Sequence, residues 1–183
     1  MSAYRRTLKP LAACTALCSF AIVFSSCGSS SPQATGTVVT AGNDAGPTVS
    51  ARLEVADVPQ AGGAALVNGS GDALYVFAPD HQRKVTCNAI CVNSWPPLLV
   101  SSTSDVTSGP GVNRSLIGTV SYQDGARVVS YDGWPLYTYS SDRTPRIGSG
   151  QGVDLNGGYW YLVSPDGRPI VPTGDPQPTG PAS

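Results

Sequence analysis

The sequence predicts an all-β fold: a compact antiparallel sandwich or barrel-like domain built from two related strand units, with a flexible N-terminal tether and a C-terminal tail. Three observations carry that expectation. Asx-Gly pairs recur at Asn68-Gly69, Asp124-Gly125, Asp132-Gly133, Asn156-Gly157 and Asp166-Gly167, and such pairs supply the positive φ angles that tight hairpins demand. No stretch keeps a helical period for three turns, and 21 Gly with 16 Pro in 183 residues argue against a helical bundle. The segment Leu74-Tyr75-Val76-Phe77-Ala78-Pro79-Asp80 also has a counterpart in Leu136-Tyr137-Thr138-Tyr139-Ser140-Ser141-Asp142, 62 residues later, so one unit is used twice.

Residues 1–26 read as an export signal. Arg5, Arg6 and Lys9 precede an apolar or small run over residues 11–24, the layout of a secretory leader. Fourteen helical residues reach only about 21 Å, short of a bilayer core of about 30 Å, so the run is not a permanent span. It ends in Phe24-Ser25-Ser26-Cys27-Gly28, which resembles the bacterial lipoprotein processing box, with Phe24 where Leu is usual. Cys27 is thus the expected lipidation site, and two acyl chains suffice for stable anchoring. Residues 27–51 hold small and polar residues with no aromatic, too little apolar surface to offset the entropy of ordering, and are expected to act as a flexible tether.

The β domain is expected over residues 52–172, with its repeats at about 60–100 and 115–166. In a strand, Tyr75 and Phe77 point to one face and Leu74 and Val76 to the other, which suits a central strand apolar on both sides. Asp80 follows as an acceptor or turn-former. A tryptophan closes each unit, Trp95 after the first and Trp160 after the second. Cys14 and Cys18 leave with the signal and Cys27 is taken by lipid, so Cys87 and Cys91 remain, an even number in an oxidising compartment. A structural disulfide is the leading reading. Redox use would prefer two intervening residues, and zinc would need further ligands, with His81 and Asp80 the nearby candidates.

In the second unit, residues 116–140 form the expected three-strand meander, and residues 159–170 a final hairpin about Asp166-Gly167. Residues 173–183 are expected to be a disordered tail.

The paired Tyr-x-aromatic-x-x-Asp signatures, Tyr75, Phe77, Asp80 and Tyr137, Tyr139, Asp142, resemble those of a bacterial family of predicted lipoproteins described as a secreted repeat of unknown function. Cys87, Cys91 and Trp95-Pro96-Pro97 in the first copy, and Gly150-Gln151-Gly152 with Trp160 in the second, are similar to that family too. The resemblance covers roughly residues 60–166. It implies an extracytoplasmic, often lipid-anchored protein with no established activity.

Composition narrows the function further. Past the leader, twelve acidic residues outweigh eight basic ones, so the cationic stripe that a nucleic-acid binder needs is missing. The sequence lacks Gly-x-Ser-x-Gly and has His81 as its one histidine, which gives a Ser-His-Asp arrangement little support. Gly148-Ser149-Gly150-Gln151-Gly152 lacks the Lys-Ser/Thr ending of a phosphate loop. No metal or cofactor is expected, and no catalytic residue is assigned.

The leading expectation is a non-enzymatic binding or structural module held to the membrane through its lipid anchor. The motif residues fasten strand ends in this reading. Trp134, Tyr137, Tyr139, Tyr159, Trp160 and Tyr161 have a second reading, as a stacking surface for an envelope polysaccharide or a protein. An envelope thiol or electron-transfer accessory protein, using Cys87/Cys91 or the Tyr-rich face, is the alternative. A carboxylate-dependent surface hydrolase using Asp80 and Asp142 is the weakest.

Overall fold

Short alternating runs between turn residues form ten strands in the computed structural model, which describes residues 49–178. The signal at 1–26, Cys27, all but the last residues of the tether, and residues 179–183 lie outside the described residues.

In chain order the strands are β1 (Ala51–Val58), β2 (Gly63–Asn68), β3 (Tyr75–Phe77), β4 (Leu99–Val100) and β5 (Val106–Ser108). They continue with β6 (Ile117–Ser121), β7 (Arg127–Tyr131), β8 (Trp134–Pro135), β9 (Val153–Asp154) and β10 (Tyr159–Leu162). Among the described residues the α-helix is a single turn, α1 (Cys91–Ser94).

The fold is all-β, as the sequence predicts, but its strands divide into three small sheets ordered β2-β1-β5, β3-β10-β9 and β4-β7-β6, with β8 paired to β7. They do not close into a barrel among the described residues. Nor is the pairing wholly antiparallel: β5 lies parallel to β1, with Ala51 opposite Val106. The three-residue β5 arrives after a long connection, which is what a parallel neighbour requires.

The expected meander forms, β6 pairing with β7 and β7 with β8. Its two turns place Asp124 and Gly125 at φ 52° and 77°, and Asp132 and Gly133 at 49° and 79°, the primed geometry that suits twisted hairpins. The final hairpin closes through Val163 and Pro169. Asn68-Gly69 behaves differently. Asn68 Oδ1 accepts the Ser70 and Asp72 N–H groups, both at 2.9 Å, and the positive φ falls at Gly71. The Asn68 side chain holds the turn there, and with the Asn68 N–H donating to the Asp72 carbonyl at 2.9 Å the loop takes residues 69–71, one more than a two-residue hairpin.

Strand alternation separates two cores. Leu74, Val76, Leu136, Tyr161 and Val163 fall in one, with Leu53, Leu66 and Val129. Tyr75, Phe77, Tyr137, Trp160 and Leu162 fall in the other, with Val58, Ala65 and Trp95. The period of two places neighbours along β3 and β10 in opposite cores, so both faces are covered.

Part of the expected tail is attached: the Tyr161 hydroxyl donates to the Pro176 carbonyl at 2.9 Å. Burial, with Asp175 nearby, pushes the Tyr161 phenol up to about 12.

Candidate functional site

The motif residues lie where two strand segments meet. Tyr75 and Tyr137 face each other across an antiparallel bridge, each donating its N–H to the other's carbonyl, at 2.9 and 3.0 Å. On its other side β3 pairs with β10, Phe77 opposite Trp160 and Tyr75 opposite Leu162. Residues 137–139 pair with residues 95–97 in the matching register, Tyr137 opposite Pro97, with the Thr138 N–H donating to the Pro96 carbonyl at 3.0 Å.

The next layer repeats the relation. The Leu66 N–H donates to the Val163 carbonyl and the Val129 N–H to the Leu98 carbonyl, both at 2.8 Å. Each tryptophan-bearing segment therefore adds to the strands of the other half.

The side chains cross in the same way. The Tyr75 hydroxyl donates to Asp142 Oδ2 at 2.6 Å, and the Tyr137 hydroxyl donates to Asp80 Oδ2. Each carboxylate is held from its far side by the loop that follows it. Asp80 Oδ1 accepts the Thr86 N–H and hydroxyl, both at 2.6 Å. Asp142 Oδ1 accepts the Ser149 N–H at 3.0 Å and its hydroxyl. Asp80 is fully buried. Burial pushes its carboxyl above the usual 3.8, opposed by the bonds from Thr86 and Tyr137. Burial first, then the neighbouring carboxylate, pushes the Tyr75 and Tyr137 phenols far above their ordinary range.

The rings form one continuous stack. Tyr139 lies on Trp95 at 4.1 Å between centroids and 17° between planes, Trp95 on Trp160 at 4.0 Å and 2°, and Trp160 on Phe77 at 4.3 Å and 19°. Tyr75 meets Trp95 edge-on at 5.3 Å and Tyr137 meets Trp160 edge-on at 5.1 Å, the arrangement that ring quadrupoles favour. A departure from the paired pattern is polar. Trp160 Nε1 donates to the Leu155 carbonyl at 3.0 Å, whereas Trp95 Nε1 is buried without a protein partner.

Cys87 and Cys91 form a disulfide with Cα atoms 5.4 Å apart, and both residues are buried. Helix α1 starts at Cys91, and the Trp95 N–H donates to the Cys91 carbonyl at 2.9 Å. The bridge thereby fixes the turn that delivers Trp95 to the stack. Its tip exposes Ile90, 77% accessible.

The expected stacking surface is not open. Trp134, Tyr137, Trp160 and Tyr161 are buried, while Tyr139 and Tyr159 are half-buried. Alternation explains this, because both faces of these strands meet a core. A surface groove of about 510 Å³ lies away from these rings, lined by Arg52, Thr103, Thr107, Ser108 and Arg114 among others.

Sequence reasoning missed the residues that hold the motif. Thr86 and Ser149 sit six and seven residues past their aspartates, a spacing with a recognisable signal once both halves are aligned. Gln151 accepts the Leu162 N–H at 2.7 Å and donates to the Ile170 carbonyl at 2.6 Å. Gly150 has a steric role: a Cβ there would lie 2.6 Å from Trp95 Cη2.

No curated protein and no solved structure matches the chain. Residues 118–164 match the model of a family described as a secreted repeat of unknown function. That stretch runs from β6 through β10 and contains Tyr137, Tyr139, Asp142 and Trp160, so the chain is similar to this family over one of its two ring-bearing halves.

Proposed function

We propose that the chain is a lipid-anchored, extracytoplasmic envelope protein, and that its body is a non-enzymatic binding or structural module made of two copies of the secreted repeat. The observation that carries this reading is the exchange of partners, Tyr75 with Asp142 and Tyr137 with Asp80. A motif whose phenols and carboxylates are spent on each other serves to fasten the two halves together. Buried polar groups are tolerated when their bonds are made, and here Thr86 and Ser149 complete them.

The family description supports an extracytoplasmic location, and the residues around Cys27 support the anchor. Among the described residues no helix is long and apolar enough to cross a membrane. The disulfide is a local brace in this reading, because its sulfurs lie in buried residues and exchange with a second thiol needs access. The hydrolase reading lacks a reachable acid: Asp80 is fully buried and both of its oxygens are engaged.

Metabolic labelling with a fatty-acid probe tests the anchor. The wild-type chain incorporates the probe and Cys27→Ala does not; labelling that persists in the variant overturns lipidation at Cys27. The fastening role is tested by substituting Tyr137 with Phe, which lowers thermal stability if the motif is structural.

A further inference from the structure

Two features of the ring stack go beyond what fastening needs. Its four rings are in continuous face contact from half-exposed Tyr139 to buried Phe77, with no centroid step above 4.3 Å. At its inner indole, Trp160, stands the edge of Tyr137, 5.1 Å away, whose hydroxyl already points its proton at a buried carboxylate. Among the described residues the ion pairs are Arg52 with Glu54 and Arg168 with Asp166, so no described cation neutralises Asp80. A buried carboxylate without a cation is costly. It is also a base held in place to receive a proton.

We propose that the stack is a one-electron relay, in which a strong radical oxidant of the carbonate-radical class takes an electron at Tyr139 and the vacancy passes through Trp95 and Trp160 to Tyr137, whose phenolic proton moves to Asp80. The electrons and atoms balance. The oxidant gains one electron and becomes carbonate. Tyr139, Trp95 and Trp160 each lose one electron and regain one, and end unchanged. Tyr137 loses one electron, its O–H bond breaks, and a neutral tyrosyl radical remains. Asp80 forms the new O–H bond and becomes a neutral carboxylic acid.

The carboxylate decides where the vacancy stops. A phenol oxidised without losing its proton would leave a cation radical in a low-dielectric core, where an unbalanced charge is expensive. Transfer along the existing hydrogen bond avoids that state and removes the charge on Asp80 in the same step. Tyr75 and Asp142 repeat the geometry beside Trp95, but Asp142 is only half-buried, so less is gained by neutralising it. The inference does not rest on lipid anchoring or on the repeat being duplicated.

The test oxidises the purified full-length chain with photogenerated tris(bipyridine)ruthenium(III) and follows radicals by transient absorption and freeze-quench electron paramagnetic resonance. The wild-type chain shows an indolyl radical first, then a tyrosyl signal that rises as the indolyl signal falls. Solvent deuterium slows that second phase, and the concentration of buffer base leaves its rate unchanged because Asp80 takes the proton. Tyr137→Phe, checked for folding by near-ultraviolet circular dichroism, loses the delayed tyrosyl phase and keeps the indolyl radical. A delayed phase that survives in Tyr137→Phe overturns the proposal. So does a wild-type phase whose rate rises with buffer base, or an indolyl radical that decays without any tyrosyl successor, and these two results need no variant.

Discussion

Trp95 and Trp160 lie face to face with their centroids 4.0 Å apart and their planes 2° from parallel, although they stand 65 positions apart in the chain. Each indole lies in a segment that pairs with the other half's strand, so the contact joins the two exchanged segments. Each indole is also flanked on its other face by the second aromatic of a motif, Tyr139 for Trp95 and Phe77 for Trp160.

Truncating Trp160 removes three ring contacts at once, with Phe77, Trp95 and Tyr137. Trp160→Ala is expected to cost about 3–5 kcal/mol, the range for a large aromatic deleted from a packed core. Urea denaturation followed by far-ultraviolet circular dichroism measures it; a loss below about 1 kcal/mol would place the stack outside the stabilising core.

Gly150 lets Trp95 approach the backbone. Its missing Cβ would stand 2.6 Å from the indole, inside contact distance, and 3.1 Å from Tyr139. Gly150→Ala is expected to destabilise by about 1–3 kcal/mol through overpacking. The same substitution at Gly118, where the nearest atom is the Ser130 hydroxyl at 3.0 Å, meets a single small side chain. Thermal melts of the two variants side by side should show the larger loss at Gly150.

The disulfide closes a short loop, with four residues of sequence separation between its cysteines. Loop-closure entropy for such a ring corresponds to about 2 kcal/mol. Replacing both cysteines by Ala is therefore expected to lower stability by about that amount without unfolding the chain, since the two cores remain. Equilibrium unfolding of the double variant tests this, and a fully unfolded variant would show that the brace does more than shorten a loop.

The Asp80 carboxyl is raised by burial above its ordinary 3.8. The folded state therefore holds this proton more tightly than the unfolded chain does. Its contribution to stability is complete below pH 3.8 and is lost as pH rises through the raised value. Asp166, lowered by its bond from Ser164, acts in the opposite sense, so the group must be isolated by difference. The stability of the wild-type chain minus that of Asp80→Asn should increase as pH falls through this window. Parallel profiles, or a difference that shrinks on acidification, would contradict the burial of an ionisable carboxylate at this position.

Much of this architecture is legible in the chain. Asp124-Gly125 and Asp132-Gly133 announce their turns because two successive positive φ angles leave few residue choices. The alternation through Leu74, Tyr75, Val76 and Phe77 announces a strand covered on both faces. The likeness between residues 74–80 and 136–142 announces the two segments that meet at the Tyr75–Tyr137 bridge. What the chain does not announce is which tyrosine meets which aspartate. Tyr75 is five residues from Asp80 and 67 from Asp142, and local reasoning favours the near partner. The choice is made by strand pairing over long range, once Trp160 docks beside Phe77 and Trp95 beside Tyr139. Pairing of that kind also hides the parallel β1–β5 contact, since the three residues of β5 carry no local signal for direction. The aromatic residues of the second half read equally well as a surface or a core, and only the covering layers decide it.

Double-mutant cycles on equilibrium stability, using Tyr→Phe and Asp→Asn at the four motif positions, test the exchange of partners most directly. The crossed pairs Tyr75 with Asp142 and Tyr137 with Asp80 should each show a coupling of about 0.5–3 kcal/mol, while the pairs within a segment, Tyr75 with Asp80 and Tyr137 with Asp142, should add within about 0.5 kcal/mol. Coupling confined to the pairs within a segment, with none across, would contradict the interlocked arrangement.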